Sequence, residues 1–443
     1  MTITRFAASA ALAAALGLAV LVPPGTAGAA TPTSLPQTAS ADAAANWLAG
    51  EFGGSGFIPS ATDPTVANLS ATANAVLALA TAGVDIPTAD AGLAYLEGQV
   101  NSFAGDVDGS YGPGQLALLI LDAHALGVST GAFGTPNLVT ELLATEQTSG
   151  ADAGLFGTET QLADYDAGTY NQGLVLAALA AIGDTAASAG ETGTAVSRAV
   201  TWLTDQQCPD GGWALPDAAL NACNGKASQY EGPDTNSTSL AVQGLEAQGA
   251  LGSGAASSAL LFIRKSQDSA GGWGYEPSSK TRTNDPDSTA LVLQALLALG
   301  AAPSSATYTK SGVDGVASLG SFQLSSGAFA FSGDTPSQLS TYQAIPALAG
   351  VTFAYDLATP TVTAISPPKG RVTGGNKVRI TGTGFAEAGS VLFGATAATS
   401  FTVTSGSSIT AVVPAGHVGT VQVTVSSPVG TSSTTSASVY TYK

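Results

Sequence analysis

From Ala41 to about Asp356 the apolar residues recur at helical spacing, and one two-helix phrase returns six times. Each round opens with a run of mixed character, such as AVSRAVTWLTDQQ or ASSALLFIRKSQD, which predicts a helix with one wet face. A loop rich in Gly, Asp and aromatic residues follows. The round closes with an Ala/Leu-rich run nearly free of charge, and these runs reach Gly83, Gly127, Gly183, Gly249, Gly300 and Gly350. In the fifth, Leu291, Leu293, Leu296 and Leu297 carry the spacing. Uncharged helices of this kind are buried or line a ring, and glycine is the expected residue where a helix ends left-handed. Units of this size cannot bury their apolar faces alone, and six helix pairs can close around a central cavity. The expected fold is therefore a ring of six helix pairs over residues 41–356.

Around Thr359 the period changes from helical to alternating. KVRITGTGF, SVLFG, SITAVVP, TVQVTVSSP and ASVYTYK read as short strands punctuated by Gly and Pro, and predict a small all-β sandwich over 357–443.

The ends and the charge narrow the setting. Arg5 followed by FAASAALAAALGLAVLV and small residues around Ala27, Ala29 and Ala30 reads as a secretory signal over 1–30. An uncleaved anchor is the other reading, though the Ala/Gly richness favours cleavage. Residues 31–40 read as a Thr/Ser/Pro spacer. No later segment approaches the length of a membrane span, so a secreted, extracellular protein is expected. The net charge is −18, and of the 31 acids only Glu387 lies beyond residue 356. An acidic helical body argues against nucleic acid and anionic lipid as partners. The two cysteines, Cys208 and Cys223, are expected to pair in an oxidising compartment. With only His124 and His417 available, neither a zinc site nor any other metal or cofactor is expected.

Both parts resemble known families. ISPPKGRVTGGNKVRITGTGF, VLFGATAATSFTV, ITAVVPAG, VTVSSPVGTS and the closing YTY resemble an IPT/TIG domain, which implies an immunoglobulin-like fold. Gly374 and Gly375 would make a tight turn, and Gly382 and Gly384 would serve backbone geometry. The helical part resembles the prenyltransferase and squalene-cyclase α/α-toroid superfamily through two QW-like phrases, QQCPDGGWAL and QDSAGGWGYE. The resemblance implies an (α/α)6 toroid in which Gln206 with Trp213, and Gln267 with Trp273, tie outer helices together. FGGSGFIP, DVDGSYGPG, SGADAGLFG and LSSGAFAFSG are looser copies.

Class II terpene cyclases protonate an alkene with the middle aspartate of an Asp-x-Asp-Asp-Thr-Ala motif, and NDPDSTA is similar to it. On that resemblance Asp287 would be the acid and Asp285 its support, with Ser288 in place of the third aspartate. The fourth repeat has GPDTNSTS at the same place (Asp234, Asn236, Ser237) and the third has ADYDAGTY (Asp164, Asp166). Asp, Asn and Ser ahead of an apolar helix are also what helix caps require, and the recurrence predicts caps rather than a catalytic site. The zinc ligands and basic cluster of protein prenyltransferases are not visible, and Asp106 and Asp108 lack the remainder of a calcium loop. Some extracellular toroids bind rather than catalyse, cobalamin carriers among them. The expected rim residues are Tyr165, Tyr170, Tyr230, Asp234, Asn236, Tyr275, Asp285, Asp287 and Tyr342, suited to a small organic or carbohydrate ligand. The leading expectation is a non-catalytic binding or cell-surface interaction protein, with a small molecule or another surface protein as partner. A degenerate terpene-cyclase-like enzyme is the alternative, and a structural envelope protein with a side-chain-filled ring the third.

Overall fold

The computed structural model describes residues 35–105, 110–134, 136–158, 161, 167–214, 223, 232–277, 283–353, 360–383, 385, 388–405, 408–427 and 430–443. The expected signal segment, residues 31–34 of the spacer, Tyr165, Tyr230, Gly384, and the aspartates at 106, 108, 164 and 166 lie outside these residues.

Six helix pairs make the first part. The outer members are α1 (Thr38–Gly50), α3 (Ile86–Glu97), α5 (Leu138–Ala144), α7 (Glu191–Asp205), α9 (Ser253–Ser266) and α11 (Gly315–Gly320). The inner members are α2 (Leu69–Ala82), α4 (Pro113–Ala125), α6 (Thr169–Ala181), α8 (Thr235–Ala247), α10 (Pro286–Ala298) and α12 (Gln338–Ala349). Each inner helix packs on the next, and α12 returns to α2, so the inner helices form a closed ring. All six glycines that follow the inner helices have φ between 63° and 84°, the left-handed stop expected of them.

The starts of the inner helices divide by residue type. Asn68, Asp234, Asp285 and Ser337 cap α2, α8, α10 and α12 by accepting from the backbone N–H three residues on. Gly112 and Gly168 stand at the same place before α4 and α6 with no side-chain cap. The expectation that an aspartate of ADYDAGTY caps the third inner helix is therefore corrected: the capping position is Gly168, whose φ of 101° favours a residue without Cβ.

The QW-like loops tie one outer helix to the next. Trp273 is fully buried and donates from Nε1 to Ile263 O at 2.8 Å, and Gln267 Nε2 donates to Gly271 O at 2.8 Å and Tyr308 O at 2.6 Å. Trp213 repeats this with Leu203 O at 2.8 Å. Its glutamine is Gln207, not Gln206: the Gln207 amide reaches Gly211 O and Ala255 O, both at 3.0 Å. The spacing explains the correction, because Gln267 stands six residues before its tryptophan and so does Gln207. In the sixth repeat Gln323 bonds Gly327 O and Ser40 O, both at 2.9 Å, which ties the last repeat to α1 and closes the outer layer. Cys208 and Cys223 form the expected disulfide. No described helix is long and apolar enough to cross a membrane.

The second part is a two-sheet sandwich. Strands β1 (Thr361–Ser366), β3 (Lys377–Thr383), β6 (Ser400–Ser405) and β7 (Ser408–Val412) form one sheet in the order β6-β7-β3-β1. Strands β2 (Lys369–Gly370), β4 (Ser390–Phe393), β5 (Thr396–Ala397), β8 (Gly419–Ser427) and β10 (Val439–Tyr442) form the other in the order β5-β4-β8-β10-β2, with β9 (Gly430–Thr431) on β8. Between the sheets pack Val378, Ile380, Phe393, Ile409, Val423 and Tyr440. Gly374 and Gly375 turn with φ of 64° and 82°, and a Cβ on Gly382 would strike the Thr361 carbonyl.

Candidate functional site

The site is assembled at the starts of the inner helices. Counted from the cap, the second residue of each helix is Ser70, Gly114, Tyr170, Asn236, Asp287 and Leu339. This position faces the ring axis. The Asp287 charge acts on Tyr170, although α8 stands between their helices. Tyr342, one turn into α12, is influenced by both Asp287 and Tyr170, and α12 lies half a ring from α6. Groups on non-adjacent helices act on one another in this way when their side chains extend toward the centre.

The three carboxyls here differ in environment. Asp234 and Asp285 are caps: Asp234 Oδ1 accepts from Ser237 N at 2.7 Å, and Asp285 accepts from Ser288 N at 2.7 Å and the Ser288 hydroxyl at 3.0 Å. Burial lifts the Asp285 carboxyl to about 6, and those same hydrogen bonds hold it from rising further. Asp287 is not a cap. It is 6% exposed, and neither of its oxygens has a hydrogen-bond partner of good geometry among the described residues. Burial first, and the Asp285 charge second, raise it to about 7, with the Ser340 hydroxyl of α12 pulling in the opposite direction. The cap reading therefore holds for Asp234 and Asp285 and fails for Asp287, which is a carboxylic acid largely desolvated and half protonated near neutrality. Burial also raises the phenols of Tyr170 and Tyr342, and the surrounding carboxylates add to it.

Of the residues expected at the rim, the structure gathers Tyr170, Asp234, Asp285, Asp287 and Tyr342. Asn236 occupies the same axis-facing position on α8, and its Oδ1 accepts from the Thr235 hydroxyl at 3.3 Å. Tyr275 lies in the loop before α10, where its carbonyl accepts from Thr235 N at 3.3 Å and its N–H supports Asp285. It buttresses the caps rather than the axis. Three groups were not legible in the sequence. Asp122, deep in α4, is fully buried, and Gln243 and Gln294 look like ordinary helix polars. Their only sequence signal is a polar residue inside an otherwise apolar closing run. Among the described residues no cluster of three His, Cys, Asp or Glu is placed to hold a metal ion.

Residues 139–286 match the squalene-hopene cyclase C-terminal domain family, and residues 360–442 match the IPT/TIG domain family. The chain carries a cyclase-like toroid joined to an IPT/TIG domain. A search of curated proteins finds no significant match. Among solved structures, ent-copalyl diphosphate synthase from Streptomyces platensis is 18% identical over 64% of this chain, with a TM-score of 0.42. This chain spans 50% of that synthase's length. The type II terpene cyclase MstE from Scytonema is 17% identical over 71% of this chain and 97% of its own, with a TM-score of 0.47. Candida albicans protein geranylgeranyltransferase-I is 10% identical over 63% of this chain and 83% of its own, at 0.44.

Proposed function

We propose that the toroid is a ligand-binding ring of a secreted protein, taking a small organic or carbohydrate molecule at the starts of its inner helices without turning it over, with the IPT/TIG sandwich as a spacer or adhesive module. The observation that carries this reading is the electrostatic coupling of Tyr170 on α6 with Asp287 on α10 and Tyr342 on α12, neither of which packs closely on α6. Aromatic faces with polar ends, beside a carboxyl that the Ser340 hydroxyl meets only in poor geometry, suit a ligand that satisfies what the protein leaves unmet. The disulfide is compatible with an oxidising compartment. Mass spectrometry of small molecules co-purifying with the full chain from its native source tests this. One consistent species, lost when Tyr170 and Tyr342 are both changed to Ala, is the expected result; a ring free of small molecules in both proteins would count against it.

One observation favours a second reading, an acid-initiated cyclase. Asp287 stays half protonated near pH 7 and is not occupied as a cap, as a proton donor to an alkene requires. Incubation with squalene and shorter polyenes decides between the two. Turnover by the wild type that disappears in Asp287→Asn would establish the enzyme and remove the non-catalytic reading.

A further inference from the structure

The axis-facing stripe does not end at Asp287. Seven residues further along α10, about 10 Å down the helix and only about 20° off in direction, stands Gln294. It is 0% exposed, and neither its amide nitrogen nor its oxygen has a hydrogen-bond partner among the described residues. Gln243 occupies the same position on α8, 1% exposed; its oxygen accepts from Phe353 N at 3.0 Å while its nitrogen is unmet. On α12 the oxygen of half-buried Gln343 is unmet as well. Phe353 belongs to the segment leaving α12, and its N–H reaches Gln243 on α8, two inner helices away. The interior thus has an outer tier of Tyr170, Asp287 and Tyr342 and an inner tier of glutamine amides.

Buried amides are almost always hydrogen-bonded, so donors and acceptors left unmet on one stripe call for a partner from outside the fold. A polyene cannot supply one. Resting on the ligand-binding reading above, we propose that the ring takes a neutral molecule bearing hydroxyl or amide groups, long enough to engage both tiers, and that Gln294 with Gln243 and Gln343 forms its inner recognition site. Asp287 and the two tyrosines would hold one end, and the glutamine amides would exchange donor and acceptor bonds with the other.

Calorimetric titration of the full chain tests this with N,N′-diacetylchitobiose, whose two rings carry both hydroxyl and acetamide groups, against glucose and farnesol. Thermal unfolding of each variant checks that it folds. The disaccharide is expected to bind the wild type and to bind Gln294→Leu about tenfold more weakly, the loss of one or two hydrogen bonds. Glucose, too short for both tiers, is expected to bind both proteins alike. Should Gln294→Leu fail to fold, Gln294→Met keeps the chain length and makes the same comparison. Equal disaccharide affinity in wild type and variant would overturn the inner site, leaving water as its occupant. Farnesol binding more tightly than the disaccharide, or no binding by either sugar, would overturn the ligand class while leaving the ring-binding reading to the co-purification result.

Discussion

At the scale of single residues, burial decides what a polar side chain is for. Asp122 sits fully buried at the tenth position after the cap of α4, where the other inner helices carry Ala or Gly. Neither of its oxygens has a partner among the described residues, and burial raises its carboxyl well above the ordinary range. An acid whose folded value is raised favours folding least at high pH. Its penalty is absent below about pH 4, grows by about 1.4 kcal/mol per pH unit above that, and levels off past the folded value. Asp122→Asn removes the titration. The variant is expected to gain on the wild type steadily from pH 4 to pH 7 in denaturant unfolding, and equal stabilities at pH 7 would contradict the assignment. Asp285 and Asp287 act in the same direction, with windows closing at about 6 and about 7.

The repeated element is the loop between outer and inner helix, and its parts are nearly interchangeable. Trp213 N and Trp273 N donate to Thr238 and Thr289 hydroxyls at 2.9 Å, and Phe329 N does the same to Thr341. The loop glycines Gly154, Gly211, Gly271 and Gly327 all have positive φ, and a Cβ on any of them would strike a carbonyl of the next outer segment. That approach lets one repeat seat on the next. The indole is the largest apolar group in the unit, so Trp273→Ala is expected to lower unfolding free energy by about 3–5 kcal/mol. Trp273→Phe, which keeps most of the volume and loses the bond to Ile263 O, is expected to lower it by about 1 kcal/mol. Equal losses in chemical denaturation would mean that packing is not the main term.

In the whole molecule, closure converts a stack into a ring. An open array of repeats frays from its ends, whereas here α12 packs on α2 and Gln323 holds Ser40. Gln338 Nε2 adds a bond to Glu51 Oε2 at 2.8 Å across the same seam. Gln323→Ala is therefore expected to speed amide exchange in α1 and α12 together, residues nearly the whole ring apart in sequence. Gln207→Ala, which removes the same pair of bonds inside the stack, is expected to loosen α7 and α9 only. Exchange patterns that do not differ between the two variants would show that the seam carries no special load.

The helices, their glycine stops, the caps at Asp234 and Asp285 and the change to strands were legible in the sequence, because each depends on residues within a turn or two of one another, and the disulfide was legible because the chain has only two cysteines, Cys208 and Cys223. In the fourth repeat two adjacent glutamines compete; the six-residue spacing to the tryptophan, shared with Gln267 and Trp273, marks Gln207, and the neighbouring helix binds that one. Asp287 departs from the caps for a related reason: its neighbours along the chain are those of a cap, whereas its charge acts on Tyr170 and Tyr342 from other repeats. The unmet amides of Gln243 and Gln294 are properties of the closed ring alone, because a helix that lacks its five companions leaves both side chains to water.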